Sequence, residues 1–268
     1  MSLKGKRALV TGGSRGIGRG IALKLAEAGA RVAVHYYQNQ VAAEETLERV
    51  RKHGGDGVTV QADVRRPEEV TRMFEQVERR LGGLDVFVSN ARPDLPDFYQ
   101  GPTAISLEQW DAAMDSQAKA FLVGAREASR LMTGGGGRIV AVTYAPSART
   151  GSWQPFFAMG AGKAALEASV RYFAVALARR GITVNAVSPG LTEDSVLNTL
   201  PKEVQDIARA WHESGWTPMG RLTRPDDVGN AVVLLCTPEA SWITGQVIGV
   251  DGGSSLMDTL LPLEIQRG

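Results

Sequence analysis

Short apolar runs alternate with amphipathic stretches along the whole chain. The apolar runs are continuous and rich in β-branched residues, which is typical of strands buried on both faces of a sheet. The stretches between them carry apolar side chains at helical spacing. Strands are predicted at Ala8–Val10, Arg31–Val34, Val58–Val60, Leu84–Val88, Arg138–Val142, Ile182–Val187 and Gln246–Val250. The pattern therefore indicates a parallel sheet with helices on both faces.

The predicted helices fall between these strands. The one that begins at Pro67 has proline followed by acids at its start, as helix N-termini prefer. Helical stretches are predicted at Gly18–Ala28, Val41–His53, Pro67–Leu81, Leu107–Met132, Pro155–Arg179 and Pro225–Leu235. This succession predicts one doubly wound Rossmann domain over residues 1–268, with a seven-stranded parallel sheet in the order 3-2-1-4-5-6-7.

Composition narrows the class of protein. The 268 residues are 43% hydrophobic, enough for one large core, and the net charge of +1 comes from scattered charges. Neither nucleic acid nor a membrane surface is therefore expected as a partner, and no metal site is expected. Cys236, the only cysteine, lies in an apolar run that predicts a buried, inert thiol. Without a disulfide, signal peptide or membrane-length apolar run, a cytoplasmic protein is expected.

A glycine-rich segment, residues 11–18, joins the first predicted strand to the first helix. Gly12 permits the tight turn, Gly16 lets a pyrophosphate approach the backbone, and Gly18 lets helix and strand pack closely. The helix N-terminus then faces the anion. In this position the segment predicts a dinucleotide site, with further contacts expected from Ser14, Arg15 and Ile17.

The end of the second strand distinguishes the two nicotinamide cofactors. An acid there would bind the adenosine ribose diol, but no acid occurs before Glu44. NADPH is therefore predicted, with Arg15 as the cation for its 2′-phosphate. His35 is a possible additional donor, although a histidine at a strand end is more often structural. Further cofactor contacts are expected from Tyr36, Asp63, Val64, Asn90 and Ala91.

These segments together resemble the short-chain dehydrogenase/reductase family over nearly the whole chain. The likeness rests on the glycine segment, Asp63-Val64, Ser89-Asn90-Ala91, Lys163, Ser188-Pro-Gly190 and Val250-Asp-Gly-Gly253. It implies that Lys163 is a catalytic residue whose ammonium holds the nicotinamide ribose hydroxyls. It also implies cofactor contacts from Pro189 and Gly190.

Within that family, one branch is especially similar. Phe156–Glu167 and Val170-Arg-Tyr172 resemble bacterial enoyl-acyl carrier protein reductases, and Leu84–Val88 with Arg171–Leu177 is similar to their type III branch. Cyclohexenylcarbonyl-coenzyme A reductases are a related subtype. By this likeness a homotetramer or homodimer is expected, paired through the long helices from Leu107 and Pro155.

The chain departs from the family where the acid should stand. The family's tyrosine, seven residues before Lys163, falls on Phe156. Met159 occupies the other place where such a dehydrogenase would hold a tyrosine, four residues before the lysine, and it also lacks an acidic proton. The family's serine falls on Tyr144 and its helix asparagine on Gln117. Two further departures concern the cofactor side of the site. Asp194 replaces a threonine, for which Thr192 is a possible substitute, and Arg92 replaces a small residue, where it would crowd the cofactor or reach a substrate phosphate.

These departures favour one chemistry. Reduction of a carbonyl leaves an alkoxide that needs a positioned acid, which Phe156 cannot supply. Reduction of an enoyl thioester leaves a less basic enolate that needs only hydrogen-bond stabilisation. The sequence therefore predicts NADPH-dependent reduction of an enoyl thioester on coenzyme A or acyl carrier protein. Tyr144 is the preferred donor, and the other possible donors are Gln117, Ser152, Gln154 and the cofactor ribose.

Two other functions stay open: a ketoreductase that uses Tyr144 as its acid, and a non-catalytic NADPH-binding homologue. The intact glycine segment and Lys163 weigh against the second. Residues 191–221 follow a strand end, carry Trp211 and Trp216, and show weaker periodicity. This segment is expected to cover the substrate, because ligands lie at the carboxyl ends of parallel strands. The alternative is a packing segment whose tryptophans complete a core or a subunit contact.

Overall fold

Strands and helices alternate along the computed structural model, which describes residues 2–94, 98–144, 155–194, 197–258, 260 and 262–266. The strands are β1 (Arg7–Val10), β2 (Arg31–Tyr36), β3 (Asp56–Gln61), β4 (Val86–Ser89), β5 (Gly137–Val142), β6 (Ile182–Pro189) and β7 (Val247–Val250). The α-helices are α1 (Gly16–Glu27), α2 (Gln40–Lys52), α3 (Pro67–Leu81), α4 (Leu107–Met114), α5 (Ala120–Leu131), α6 (Phe157–Leu177), α7 (Lys202–Trp211), α8 (Pro225–Cys236) and α9 (Leu263–Gln266).

The strands form one parallel sheet in the order β3-β2-β1-β4-β5-β6-β7, which confirms the predicted doubly wound fold. Leu9 of β1 pairs with Ala33 on one side and with Phe87 on the other. From β1 the strands continue to β2 and β3 on one side of the sheet, and from β4 they continue to β5, β6 and β7 on the other side. The connections that follow β1 and β4 therefore lie on opposite faces of the sheet. A crevice opens at the carboxyl ends of the two strands, where ligands bind in such sheets.

Apolar side chains fill both faces of the sheet. On one face Phe74 of α3 meets Phe87 of β4 edge to face, with ring centroids 5.2 Å apart. On the other face Ile21 of α1 and Val232 of α8 are buried against the strands. Burying each such side chain contributes about 1.5–3 kcal/mol. Cys236 at the end of α8 is also buried, and burial raises the pKa of its thiol to about 12, as expected for an inert cysteine.

The predicted helix over Leu107–Met132 is wrong in one respect. A π-helical turn, Asp115–Lys119, separates α4 from α5. The wide turn shifts which side chains face inward, and it buries Ser116 and Gln117. Reading a constant helical period from the sequence cannot detect a single wide turn, although such turns are frequent at functional sites. None of the described helices is long and apolar enough to cross a membrane.

Candidate active site

A cavity of about 1320 Å³ opens at the carboxyl ends of the strands. Most residues that the sequence nominates for the site line it together. They are Gly12, Ser14, Arg15, Gly16, Ile17, Gly18, His35, Tyr36, Asp63, Val64, Asn90, Ala91, Tyr144, Phe156, Lys163, Gly190 and Thr192. Pro189 ends β6 just before Gly190 and is buried, and Gln117 lies behind the cavity wall.

The glycine segment has the geometry of an anion cradle. Gly12 and Gly16 adopt left-handed backbone conformations, with φ of +64° and +54°. A Cβ at Gly18 would lie 2.1 Å from the Gly12 carbonyl oxygen, so only glycine fits there. Arg15, the residue before α1, makes no capping hydrogen bond through its side chain. The first amides of α1 are therefore available to an anionic ligand.

His35 has a structural role at the end of β2. It is buried, its Nδ1 accepts a hydrogen bond from the Gly12 amide at 2.9 Å, and its Nε2 lies 3.0 Å from the Ala62 carbonyl oxygen. Burial lowers its pKa to about 4, so the ring is neutral and donates through Nε2 to Ala62. Both ring nitrogens are engaged with the backbone. The suggested donation from His35 to a 2′-phosphate therefore does not fit, and the ring instead fixes the glycine segment.

Charged and aromatic side chains mark the end of the cavity beside β2 and β3. Arg15 pairs with Asp94 at 3.1 Å, and both side chains are more than half exposed. Arg65 holds the Asp63 carboxylate, with Nη2 2.8 Å from Oδ2, and its guanidinium lies 5.5 Å from the centre of the Tyr37 ring. Sequence reasoning missed Arg65 and Tyr37, although Arg65 follows the nominated Asp63-Val64 directly. This end of the cavity presents two arginines to a ligand.

Lys163 is buried on α6 and points into the cavity. Its Nζ donates a hydrogen bond to the Val142 carbonyl oxygen at 2.5 Å. Its pKa is lowered to about 7, mainly by burial and also by the charge of Arg92, while Glu167 acts in the opposite direction. Glu167, one turn along α6, accepts a hydrogen bond from the Thr143 hydroxyl at 2.5 Å. The lysine is thus held on the end of β5 and titrates close to neutral pH.

Phe156 stands at the start of α6 within a group of aromatic rings. Its ring contacts Phe98 at 5.1 Å and Tyr99 at 5.8 Å between centroids, both edge to face. Tyr144 lies on another side, 6.2 Å away. The ring lines the cavity at the position seven residues before Lys163. The place where the resemblance implies a phenol therefore holds an apolar ring.

The Tyr144 hydroxyl lies over the first turn of α6. A Cβ on Gly160 would be 3.4 Å from that oxygen, so the absence of a side chain at Gly160 leaves room for the phenol. Phe156, Gly160 and Lys163 share one face of the helix, at spacings of four and three residues. The Tyr144 hydroxyl therefore lies beside the helix face that carries Phe156 and Lys163. Burial, with a contribution from Glu167, raises its pKa, so it stays a neutral hydrogen-bond donor.

Gln117 supports the cavity wall instead of facing the ligand. It is buried in the π-helical turn, and its Nε2 donates to the Ala91 carbonyl oxygen at 3.2 Å. Its Oε1 is buried, and none of the described residues donates a hydrogen bond to it. The Gln117 amide also donates to the Ser116 hydroxyl oxygen at 3.4 Å, so the suggested donation from Gln117 to a thioester oxygen does not fit this arrangement. Ser152 and Gln154, the other suggested donors, lie outside the described residues.

Two of the residues that depart from the family pattern line the same cavity. Arg92 follows β4 and Asp194 follows β6, and both line the space that also holds Lys163. Burial lowers the pKa of Arg92, and the Asp194 carboxylate acts against this. Thr192, the suggested substitute for the family threonine, lines the cavity and donates its hydroxyl to the Gly190 carbonyl oxygen at 2.9 Å. Its oxygen can still accept a hydrogen bond.

The segment after β6 contributes a helix that the sequence interpretation missed. One face of α7 lines the cavity with Val204, Ile207, Ala208 and Trp211, which recur at helical spacing. Ile207 is 69% exposed, so this apolar face is open to the cavity. Trp211 also stacks on Trp216, with centroids 4.9 Å apart and planes 6° from parallel. The spacing of these apolar residues is the signal that could have revealed the helix.

This arrangement fits a nicotinamide dinucleotide. The glycine cradle and the uncapped start of α1 suit a pyrophosphate, and the buried Lys163 lines the same cavity. Fold and cavity together define a nicotinamide-dependent oxidoreductase.

Comparisons with known proteins give the family. Residues 12–255 match the family described as Enoyl-(Acyl carrier protein) reductase. The chain therefore belongs to that family of short-chain dehydrogenases/reductases.

Its relatives are named as reductases of different substrates. The chain is 38% identical to the 1-cyclohexenylcarbonyl-CoA reductase of Streptomyces collinus, over 93% of this chain and 86% of that protein. It is 34% identical to the hydroxynaphthalene reductase-like protein Arp2 of Metarhizium robertsii, over 94% and 96%. Among solved structures, the angucycline C-6 ketoreductase LanV with bound NADP superposes with a TM-score of 0.85 at 37% identity, over 96% of this chain and 98% of that one.

Proposed function

We propose that this protein catalyses the NADPH-dependent reduction of the C=C bond of an enoyl thioester. The observation that carries the proposal is Phe156, an apolar ring seven residues before Lys163 in the wall of the cavity. A reaction that requires proton transfer to an alkoxide loses its acid at this position. A reaction that passes through an enolate does not need that acid, because hydrogen bonds to the oxygen suffice.

Lys163 and Tyr144 have separate roles in the proposed reaction. When bound, the cofactor would supply the hydride that the β-carbon of the substrate takes up. Lys163 would hold the nicotinamide ribose, and its charge would favour the anionic enolate. Tyr144 would donate its hydroxyl hydrogen bond to the thioester oxygen without giving up the proton, since its pKa is raised. Water reaching the open cavity would then protonate the α-carbon.

NADPH is proposed over NADH because of the charges near β2. That strand ends in Tyr36 with no acid, while Arg15 and Arg65 line the adjoining part of the cavity. Arginine binds phosphate oxygens through two parallel hydrogen bonds. The presence of NADP in the similar ketoreductase structure supports the same choice.

The size and lining of the cavity support a bulky or extended acyl unit. Its volume of about 1320 Å³ exceeds the roughly 300–1000 Å³ of typical single-ligand pockets, which leaves room for an acyl group beside the cofactor. We propose that the segment 191–221 covers the substrate with the apolar face of α7. The likeness to a reductase of 1-cyclohexenylcarbonyl-CoA supports a cyclic acyl unit on coenzyme A or carrier protein.

Carbonyl reduction with Tyr144 as the acid is the second candidate. The relatives named as hydroxynaphthalene and angucycline reductases favour it. Their sequence identities to this chain are close to the identity of the 1-cyclohexenylcarbonyl-CoA reductase to this chain. A non-catalytic, NADPH-binding role is a weaker alternative, because the glycine cradle and the buried lysine are both retained.

A substrate panel tests these functions. The purified protein would be incubated with NADPH and a trans-2-enoyl-CoA, 1-cyclohexenylcarbonyl-CoA, a 3-ketoacyl-CoA or a hydroxylated naphthalenone, and the products would be identified by mass spectrometry. Enoyl reduction gives a saturated thioester with its carbonyl retained. Reduction of the ketones alone would contradict the proposal, and tight NADPH binding without any turnover would favour the non-catalytic role.

We also propose that the protein is a homotetramer or homodimer. Tyr172 and Val175 on α6 are 79% and 80% exposed, although apolar side chains at such positions are usually covered. Light scattering at micromolar concentration would show the assembly, and Val175→Asp should dissociate it. A monomeric wild type would contradict this proposal.

A further inference from the structure

Arg92 and Asp194 replace neutral residues of the family pattern with opposite charges that face one cavity. Arg92 lies just after β4, and Asp194 lies just after β6. The two positions are far apart in the sequence, and the sheet topology brings them together. A charge introduced on each side suggests that the two side chains act jointly.

The backbone that carries Arg92 is firmly held. The amides of Asn90 and Ala91 donate to the Thr11 hydroxyl at 2.9 and 3.1 Å, and the Asn90 side chain donates to the Thr11 carbonyl oxygen at 2.9 Å. The Arg92 guanidinium uses Nη1 to reach the Pro93 carbonyl oxygen at 2.8 Å. Among the described residues, no ion pair engages its remaining donors. A partly buried guanidinium on a fixed loop therefore presents donors to the cavity.

The position of Arg92 near Lys163 indicates what it binds. Both side chains line the same cavity, and the charge of Arg92 helps to lower the pKa of Lys163. Ser89 of β4 pairs with Ala141 of β5, so Arg92 and Tyr144, each three residues further on, leave neighbouring strand ends. Positive groups and hydrogen-bond donors at one place stabilise negative charge that develops there. The cofactor pyrophosphate has the glycine cradle and the start of α1. The charge that develops beside Lys163 and Tyr144 is the one on the substrate oxygen.

We infer that Arg92 donates hydrogen bonds to the thioester oxygen as it becomes an enolate, and that the charge of Asp194 on the same cavity orients the guanidinium for this task without a direct ion pair. The inference rests on the proposed function. Hydride from the reduced nicotinamide forms a C–H bond at the β-carbon, the C=C π pair moves to the bond beside the carbonyl, and the carbonyl pair moves to oxygen. The oxygen pair then returns, and the α-carbon takes a proton from water, leaving hydroxide to the solvent. The nicotinamide loses two electrons, and Arg92 keeps all its protons.

Substitutions at Arg92 separate this role from cofactor binding. Arg92→Ala should lower kcat/KM for the enoyl thioester by about 10²-fold, the scale for losing one oxyanion donor. The Kd of NADPH, measured by nucleotide fluorescence, should stay within about twofold. Guanidinium chloride at millimolar concentration should restore part of the activity of Arg92→Ala but none of that of Tyr144→Phe. Arg92→Lys should be impaired, because an ammonium lacks the guanidinium's planar set of donors. Arg72→Ala, on the exposed face of α3, is the matched control and should behave as wild type.

Asp194 is tested by coupling. Asp194→Asn should lower kcat/KM, and the same change should cost little in the Arg92→Ala background, because a positioning residue has nothing left to position. Additive losses would overturn the role of Asp194. If Arg92→Ala weakens NADPH and NADH equally while sparing kcat, Arg92 is a pyrophosphate contact and the inference is wrong. An unimpaired Arg92→Ala enzyme that reduces enoyl thioesters would contradict the Arg92 role alone. A wild type that reduces only ketones would contradict the proposed function as well.

Discussion

The Phe156 ring lies against Tyr144, with centroids 6.2 Å apart and planes inclined by 61°. The phenol therefore approaches the cavity from the end of β5, beside the ring that stands where a helix-borne phenol is expected. Because Gly160 leaves space beneath it, the Tyr144 hydroxyl reaches the helix face that also carries Lys163. An apolar ring thus stands where the family resemblance implies a phenol, and the neighbouring Tyr144 carries a hydroxyl on a different element.

Removing the Tyr144 hydroxyl should impair the reaction and spare the cofactor. Tyr144→Phe is expected to lower kcat by about 10²-fold, since one donor to the developing oxyanion is lost. The Kd of NADPH should not change. Tyr172→Phe is the matched control, because it removes a phenol outside the cavity and keeps the ring that would contact a partner subunit. If Tyr144→Phe is fully active, the donor role passes to Arg92, to Ser152 or Gln154, or to the cofactor ribose.

Restoring the family phenol should bring little gain. Phe156→Tyr is expected to fold and to keep enoyl reduction within about threefold of wild type, because the oxyanion already has donors from elsewhere. The measurement is kcat/KM for the enoyl thioester. A large acceleration would show that the missing phenol limits the native reaction and would argue against the donor assigned to Tyr144.

Replacing Lys163 by a neutral residue should abolish activity and increase the stability of the fold. Lys163→Met is expected to abolish turnover yet raise Tm, because burial opposes the lysine charge. The folded-state pKa of about 7 lies below the ordinary value, so wild type carries the full penalty below that pH. The penalty declines as the pH rises from there toward the ordinary lysine pKa. The gain in Tm should therefore be larger at pH 6 than at pH 9, and a gain independent of pH would contradict a buried, weakly basic lysine.

Arg15 should discriminate between the two cofactors. Arg15→Ala is expected to raise the Kd of NADPH by about tenfold or more and that of NADH by about twofold or less. The ion pair with Asp94 is exposed and weak, so releasing Arg15 to a phosphate costs little. Asp94→Asn should accordingly leave NADPH binding intact. Equal losses for both cofactors would place Arg15 at the pyrophosphate instead.

The sequence predicts the sheet well because its strands are buried on both faces, and continuous apolar runs such as residues 139–142 are hard to read as anything else. Glycine positions were equally predictable, since steric limits at Gly12 and Gly18 leave no other residue. The π-helical turn at Gln117 was not, because one wide turn leaves no trace in the average period. The orientation of His35 was also beyond the sequence, since it depends on the Ala62 carbonyl and the Gly12 amide.

The most informative feature of the site arises from topology. Arg92 and Asp194 were both recognised as departures from the family pattern, but the sequence gives no reason to consider them together. They share a cavity because β4 and β6 end at the same edge of the sheet on either side of β5. Local patterns report burial and turns, whereas charge pairs across a site depend on the assembled fold.

A competition between two substrates tests the central claim most directly. Equal concentrations of a trans-2-enoyl thioester and the 3-ketoacyl thioester of the same chain length and carrier would compete for wild-type enzyme with NADPH, and both products would be followed by mass spectrometry. The ratio of initial rates gives the ratio of kcat/KM values. Enolate stabilisation without a helix-borne acid predicts that the enoyl thioester is consumed at least about 10²-fold faster. Consumption of the ketoacyl thioester at an equal or higher rate would contradict the assignment.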